Sequence, residues 1–143
     1  MSIASWTLIA FAAWTLLILM LGVGTRRWAL ILSRRAVLTS FPGDTAHGDS
    51  AYRRAVRAHA NCVENLPVYG AIVLSAEVFG LTSAWIDSLA VAVILCRIAQ
   101  SSIHMVLPET NATVGVRFSF FLAQAVAMIW MIATISLSAM ART

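Results

Sequence analysis

The chain has 143 residues, of which 60% are hydrophobic and 11% are charged, whereas an ordinary soluble domain carries roughly 25% charged residues. This composition, with a mean hydropathy of +0.84, excludes a disordered chain and argues against a soluble enzyme. The ten basic residues, all arginine, give a net charge of +4, but too little solvated surface is available for nucleic-acid binding. We therefore predict an all-α membrane protein with a single domain, 1–143.

Four transmembrane helices are predicted, at about 2–38, 51–81, 83–107 and 115–141. The first and the last contain the uncharged runs 1–25 and 118–141, which exceed the roughly 18 apolar residues that indicate a spanning helix. The second and third segments are also long and apolar, but they carry polar side chains within the span. Because charges inside a membrane are costly, such residues normally face a bundle interior and take part in function.

The connections between these helices are polar. Residues 41–44 are typical of a turn, Asp49 and Ser50 are candidate N-caps of the second helix, and Pro108 ends the third. Seven arginines cluster around the first connection, so the positive-inside rule places this connection in the cytoplasm and both termini on the opposite side. The membrane is either a bacterial inner membrane or the endoplasmic reticulum.

The second helix carries a polar face near its cytoplasmic end. Arg57, Asn61 and Glu64 share this face because they are spaced i, i+4 and i+7, and Arg54 extends it by one turn. The guanidinium groups of Arg54 and Arg57 stay ionised, and each can form two parallel hydrogen bonds with a carboxylate of a ligand. Glu64 suits an ammonium group, and the Asn61 amide suits a peptide group.

The third helix carries a matching face, and the fourth begins beside it. Arg97, Gln100 and His104 are spaced i, i+3 and i+7, and Arg117 opens the fourth helix. At about 1.5 Å per residue, both faces lie in the cytoplasmic half of the bilayer. We predict one polar pocket there, and its excess of arginine over carboxylate fits a short acidic peptide such as glutathione.

Structural interpretations of the same residues stay open. Arginines at helix ends often extend to lipid phosphates, and Arg57 can instead belong to an internal network with Asn61 and Glu64. For Arg97 the alternative is an interhelical ion pair with Glu64. Glu77 and Asp87 lie near the opposite membrane face and are interpreted as caps or structural partners. The histidines are too isolated to predict a metal site.

The segment 57–67, RAHANCVENLP, closely resembles the second-helix signature of the MAPEG superfamily, the membrane-associated proteins of eicosanoid and glutathione metabolism. The pattern Arg-Ala-x-x-Asn-x-x-Glu is followed by a proline three residues later. The resemblance covers nearly the whole chain, because further arginines also match the family's layout, namely Arg34, Arg35, Arg54, Arg97 and Arg117.

The resemblance implies a four-transmembrane-helix bundle that assembles as a homotrimer among membrane lipids, with glutathione bound between adjacent subunits. It implies that Arg57, Asn61 and Glu64 hold the tripeptide. Arg54 or Arg35 would bind a terminal carboxylate, and Arg97 would support the site from the third helix.

The catalytic residue that the resemblance implies is Arg117, nearest the sulfur. A free thiol has a pKa of about 8.5, and an adjacent guanidinium favours the charged thiolate. Gln100, His104 and Phe121 stand in the same pocket, where several family members carry tyrosines. This difference favours a general glutathione transferase acting on lipophilic electrophiles, with lipid-hydroperoxide peroxidase activity as a side reaction, over an eicosanoid synthase.

Two other functions are alternatives to the transferase. The first is a non-catalytic scaffold of the same superfamily that binds lipid or glutathione. The second is a small four-helix transporter, which is less favoured because the first predicted helix carries no carboxylate.

Overall fold

A computed structural model of the protein describes residues 1–41 and 47–142. In these two ranges the secondary structure is helical, without strands, and four long helices follow one another along the chain. Their bounds are α1 (Ile3–Leu32), α2 (Ser50–Val78), α3 (Ala84–Val106) and α4 (Asn111–Met140). A short 3-10 turn, Leu38–Ser40, follows α1. The turn predicted at 41–44 falls mainly on residues 42–44, which lie outside the described residues.

Three of the four helices, α1, α3 and α4, are long and apolar enough to cross a membrane. The second helix, α2, has 29 residues and is about 43 Å long at 1.5 Å per residue. It is more polar than the others because it carries five charged side chains, Arg53, Arg54, Arg57, Glu64 and Glu77. Its buried face is made of small, aromatic and β-branched aliphatic residues, and this face packs into the bundle.

The first helix ends at Leu32, six residues before the predicted end at 38. Arg34 adopts a left-handed conformation with φ of +57°. The Arg34 N–H donates to the Ile31 carbonyl and the Arg35 N–H donates to the Leu30 carbonyl, both at 2.9 Å. This pair of bonds is a Schellman motif, which usually has glycine at the left-handed position. No glycine or proline marks this end in the sequence, so the prediction extended the helix too far.

Both ends of α2 are capped. The Asp49 side chain accepts a hydrogen bond from the Tyr52 N–H, which confirms Asp49 as the N-cap. At the other end Gly80 has φ of +60°, and the Leu81 N–H donates to the Ala76 carbonyl at 2.8 Å. The second Schellman motif ends α2 at Val78 rather than at 81.

The fourth helix begins at Asn111, four residues before the predicted start at 115. The Thr110 hydroxyl accepts from the Thr113 N–H at 3.2 Å, and the Thr113 hydroxyl accepts from the Thr110 N–H at 2.8 Å. This reciprocal capping box satisfies two backbone donors and allows the helix to start close to Pro108. The bounds of α3 differ from the prediction by one residue at each end.

The bundle core joins α1 to α2 through aromatic and hydroxyl groups. The Tyr69 hydroxyl lies 2.5 Å from the Thr7 hydroxyl, and the Phe11 ring lies 5.7 Å from the Tyr69 ring. All three side chains are buried. A buried phenol needs a hydrogen-bond partner, so this contact both fills the core and aligns the two helices.

At the end of the bundle that holds the N-terminus, two acidic residues cap α1. The Glu77 carboxylate accepts hydrogen bonds from the Ser2 and Ser5 hydroxyls and, at 3.1 Å, from the Ser2 N–H. The Asp87 carboxylate accepts from the Ala4 N–H at 2.8 Å. Negative charge at a helix N-terminus is stabilising. These contacts confirm the interpretation of both residues as caps.

The packing of the fourth helix leaves a groove in the bundle. α4 packs extensively along α3, whereas it touches α2 at few points. The groove between α2 and α4 is therefore open, and side chains of α3 form its floor. This groove contains most of the residues that the sequence predicts for the site.

Candidate functional site

The half of the groove nearer the arginine-rich first connection holds a cleft of about 330 Å³, here called the inner cleft. Its walls come from α2 and α4, and two residues of α3 contribute. The lining residues are Asn61, Glu64, Asn65, Arg97, Gln100, Val114, Arg117, Phe118 and Phe121. Six predicted site residues thus meet at one place.

A second cleft of about 450 Å³, here called the outer cleft, lies at the start of α2. Arg54 and Arg57 line it together with Glu109, from the connection between α3 and α4. The Arg57 Nη1 atom lies 3.0 Å from the Glu109 Oε1 atom, with the two side chains 60% and 46% exposed. The Arg54 Nε–H donates to the Met105 carbonyl at 3.2 Å. The predicted single pocket is therefore two neighbouring clefts.

His104 lies close to both clefts but is 3% exposed. Its Nε2 atom is 3.9 Å from the Glu109 carboxylate and has no hydrogen-bond partner among the described residues. The guanidinium groups of Arg57 and Arg117 are near enough to act on its ring electrostatically. His104 is thus a buried neighbour of the clefts and does not line either of them.

Arg35 does not join the other predicted site residues. It is exposed, it follows the Schellman motif that ends α1, and it lines neither the inner nor the outer cleft. The resemblance implies that Arg35 helps to bind a terminal carboxylate, and the first helix is separately predicted to continue to 38. The early end of α1 places it outside the site formed by one chain.

Arg97 is the most deeply buried predicted site residue, at 1% exposed. Its Nε–H donates to the Gln124 Oε1 atom at 3.0 Å, and its guanidinium carbon lies 5.4 Å from the centre of the Phe11 ring. No carboxylate lies within 4.0 Å of it in the part of the chain that the structure describes. Arg97 and Glu64 therefore form no direct ion pair, although the Glu64 carboxylate acts on Arg97 electrostatically over a longer distance.

Gln124 is a site neighbour that sequence reasoning missed. It is 1% exposed, and its Nε2 atom donates to the Gln100 Oε1 atom at 3.3 Å. A signal existed, because Gln124 is the only amide side chain in the run 118–141. It also follows Arg117 and Phe121 at i+7 and i+3, which places all three on one face of α4.

Two arginines at the inner cleft keep donors that the described residues leave unsatisfied. The Nη2 atom of Arg97 and the Nε atom of Arg117 are buried and have no hydrogen-bond partner. Glu64, on the opposite wall, is exposed and takes part in no ion pair with the described residues. Unsatisfied buried donors are rare and costly, so this cleft is chemically suited to an anion.

At the arginine end of α1 other arginines have structural partners. Arg26 pairs with the Asp49 carboxylate, and the Arg27 Nε–H donates to the Tyr52 hydroxyl at 2.6 Å. The backbone hydrogen bond from Tyr52, followed by the bond from Arg26, lowers the pKa of Asp49. These contacts fasten α1 to the start of α2 and keep Arg26 and Arg27 out of both clefts.

The hydrogen-bonding groups that line the inner cleft are two guanidinium cations, one carboxylate and three amides, and the outer cleft adds three arginines. Such a set can bind a small ligand with carboxylates, an ammonium group and peptide bonds.

A family model described as the MAPEG family matches residues 4–137. No curated protein matches the chain.

Proposed function

The chain belongs to the MAPEG family, a membrane family that includes glutathione transferases, and on this basis we propose that it is a membrane glutathione S-transferase. In this proposal glutathione is the substrate that the site activates, and a lipophilic electrophile is the acceptor. The observation that carries the proposal is the inner cleft, where Arg97 and Arg117 have unsatisfied donors opposite Asn61 and Glu64.

In this proposal, different residues of the two clefts bind different chemical groups of glutathione. Asn61 binds a peptide group, Glu64 takes the ammonium group, and Arg54 and Arg57 in the outer cleft bind a carboxylate. Arg117 lies nearest the sulfur. The two clefts suit an elongated ligand, because Arg57 of the outer cleft lies one helical turn from Asn61 of the inner cleft.

The chemical task of Arg117 is to stabilise the thiolate. Lowering a thiol pKa by two units requires about 2.7 kcal/mol. A guanidinium at about 4 Å supplies about 4 kcal/mol at an effective dielectric constant of about 20, so one cation is sufficient. The thiol proton leaves to water. The sulfur then forms a bond to the electrophilic carbon, and the leaving group departs with the electron pair.

An apolar acceptor is favoured by the surroundings of the inner cleft. Phe118 and Phe121 line it. The same groove continues between α2 and α4 as an apolar cleft of about 560 Å³, lined by residues such as Ile72 and Ile135. In the peroxidase side reaction the acceptor is a lipid hydroperoxide, and two glutathione molecules reduce it to an alcohol and water with formation of one disulfide.

The assembly and membrane orientation belong to the same proposal. We expect a homotrimer with glutathione between subunits, and an active site that faces the cytoplasm because the arginine-rich connection does. The membrane is a bacterial inner membrane or the endoplasmic reticulum. Cross-linking in mild detergent should trap trimers, and a series that ends at dimers would contradict this assembly.

The decisive experiment is binding of glutathione to the purified protein in detergent, with thiolate absorbance in the ultraviolet followed against pH. We expect saturable binding and a thiol pKa well below 8.5, and Arg117→Ala should remove the thiolate signal. Arg142→Ala is the matched control, since Arg142 is exposed and bonds the Phe79 and Gly80 carbonyls at the opposite end. Loss of glutathione affinity alone in Arg117→Ala would contradict its catalytic role.

The second candidate function is a scaffold that binds glutathione or lipid without turnover. It is favoured by one specific observation, namely that Gln100 and Phe121 contribute no phenol to the inner cleft. Binding without a thiolate signal in the wild-type protein would support the scaffold and refute the transferase.

A further inference from the structure

We propose that Gln124 is a positioning residue of this site, whose neutral amide holds the Arg97 guanidinium in place without cancelling its charge. The inference deepens the proposed function and rests on it, because the anion that Arg97 serves is the bound glutathione. Gln124 itself does not line the inner cleft, so it acts through Arg97 and Gln100.

The hydrogen bonds determine how the Gln124 amide is oriented. A guanidinium nitrogen can only donate, so the bond of 3.0 Å from Arg97 requires the Gln124 oxygen to face α3 at that point. The amide nitrogen then donates to the Gln100 oxygen at 3.3 Å. Both partners of Gln124 line the inner cleft. One buried side chain of α4 thus holds two residues of α3 that form the cleft floor.

The charge of Arg97 is the reason why an amide matters at position 124. Arg97 is 1% exposed, and an unpaired buried charge is costly unless another group compensates it. Nearby groups are the Phe11 ring face and the Cys62 thiol, and the Glu64 carboxylate acts on Arg97 electrostatically from beyond ion-pair distance. No carboxylate of the described residues therefore pairs directly with Arg97, and its Nη2 donor stays unsatisfied.

A carboxylate at position 124 would satisfy the same Arg97 nitrogen, and the pair would be electrically neutral. Glutamine forms the bond and leaves the full positive charge for an anion in the cleft. Arg117, Phe121 and Gln124 lie on one face of α4 at i, i+4 and i+7. α4 thus contributes one cation of the inner cleft, Arg117, and two turns later it carries Gln124, which orients a second cation, Arg97.

The test uses two substitutions that keep the size of the side chain. Gln124→Glu retains the bond to Arg97, loses the donor to Gln100 and adds a negative charge, whereas Gln124→Met removes both bonds without adding charge. Asn111→Asp is the charge control, because it adds one negative charge at the exposed first residue of α4. Each full-length variant is purified in detergent like the wild type.

Three readouts separate positioning from a merely structural role. With Gln124→Glu, the pKa of the bound glutathione thiol should rise towards about 8.5, while the melting temperature is unchanged or higher. With Gln124→Met, glutathione affinity should fall roughly tenfold, as expected for one hydrogen bond to a charged group. In the ligand-free protein, the solvent-protected Nε–H signal of Arg97 in the NMR spectrum should persist in Gln124→Glu and disappear in Gln124→Met.

The outcomes distinguish this inference from the proposed function. If the wild type binds no glutathione or forms no thiolate, both fail. If the wild type forms the thiolate but Gln124→Glu keeps the wild-type thiol pKa, or Asn111→Asp raises it equally, only the inference about Gln124 is overturned. Should Gln124→Glu fail to fold, Gln124→Met decides, since wild-type affinity or a persistent Arg97 signal in that variant would refute the positioning role.

Discussion

The contact between Arg57 and Glu109 makes a quantitative prediction about ligand binding. The two groups form an ion pair with N···O of 3.0 Å, and both are largely exposed. A glutathione carboxylate that binds Arg57 must compete with Glu109 for the same guanidinium. We therefore expect Glu109→Gln to tighten glutathione binding.

The size of this effect follows from the exposure of the pair. Exposed ion pairs contribute about 0–1 kcal/mol, and 1 kcal/mol corresponds to roughly fivefold in an equilibrium constant. Glu109→Gln should thus lower the dissociation constant by up to about fivefold and change the free energy of unfolding by less than about 1 kcal/mol. In about 1 M salt, where the Debye length is about 3 Å, the gain should nearly vanish.

Isothermal titration calorimetry with glutathione at low and high salt measures this directly. Asp49→Asn is the control, because it also removes a negative charge near the start of α2 but Asp49 does not line the outer cleft. If Asp49→Asn tightens binding as much as Glu109→Gln, the effect is long-range and competition is refuted. Weaker binding in Glu109→Gln would mean that Glu109 positions Arg57 for the ligand.

The remaining predictions concern stability and are measured by unfolding in mixed micelles. A double-mutant cycle of Thr7→Val and Tyr69→Phe should give a coupling energy of about 0.6 kcal/mol and at most about 1.7 kcal/mol, the average and the maximum for interhelical hydrogen bonds in a membrane protein, and a value near zero would refute the contact. Because the backbone is left-handed at both positions, Arg34→Gly should raise the free energy of unfolding and Gly80→Ala should lower it, each by roughly 1 kcal/mol. If both substitutions changed this free energy in the same direction, the assignment would be contradicted. Asp49 has a lowered pKa in the folded state, so its contribution is present above its ordinary pKa of 3.8 and is lost as the pH falls through the folded value. In Asp49→Asn the free energy of unfolding should therefore fall less steeply as the pH is lowered below 3.8. If its dependence on pH were unchanged, Asp49 would be excluded as a cause of the loss of stability in acid.

Residue type and spacing along the chain determined the class of protein, the number of helices and the polar faces of α2 and α3. The uncharged runs predicted membrane spans because apolar length is a local property. The spacing of Arg57, Asn61 and Glu64 predicted one face of α2 because helical periodicity is local as well. The same segment carried the resemblance to the family to which the chain belongs.

Only the tertiary structure decided which faces meet and what lies between them. Gln124 is an ordinary amide in an apolar run until α4 packs on α3 and places it against Arg97. Glu109 pairs with Arg57 across 52 residues of sequence, and no local pattern encodes such a contact. Arg35 lines neither cleft of one chain and follows a helix end formed by a left-handed arginine, a conformation that residue type does not predict. The physical reason is the same in each case, because spacing within a helix is set by the backbone, whereas contacts between helices depend on how complete side chains pack.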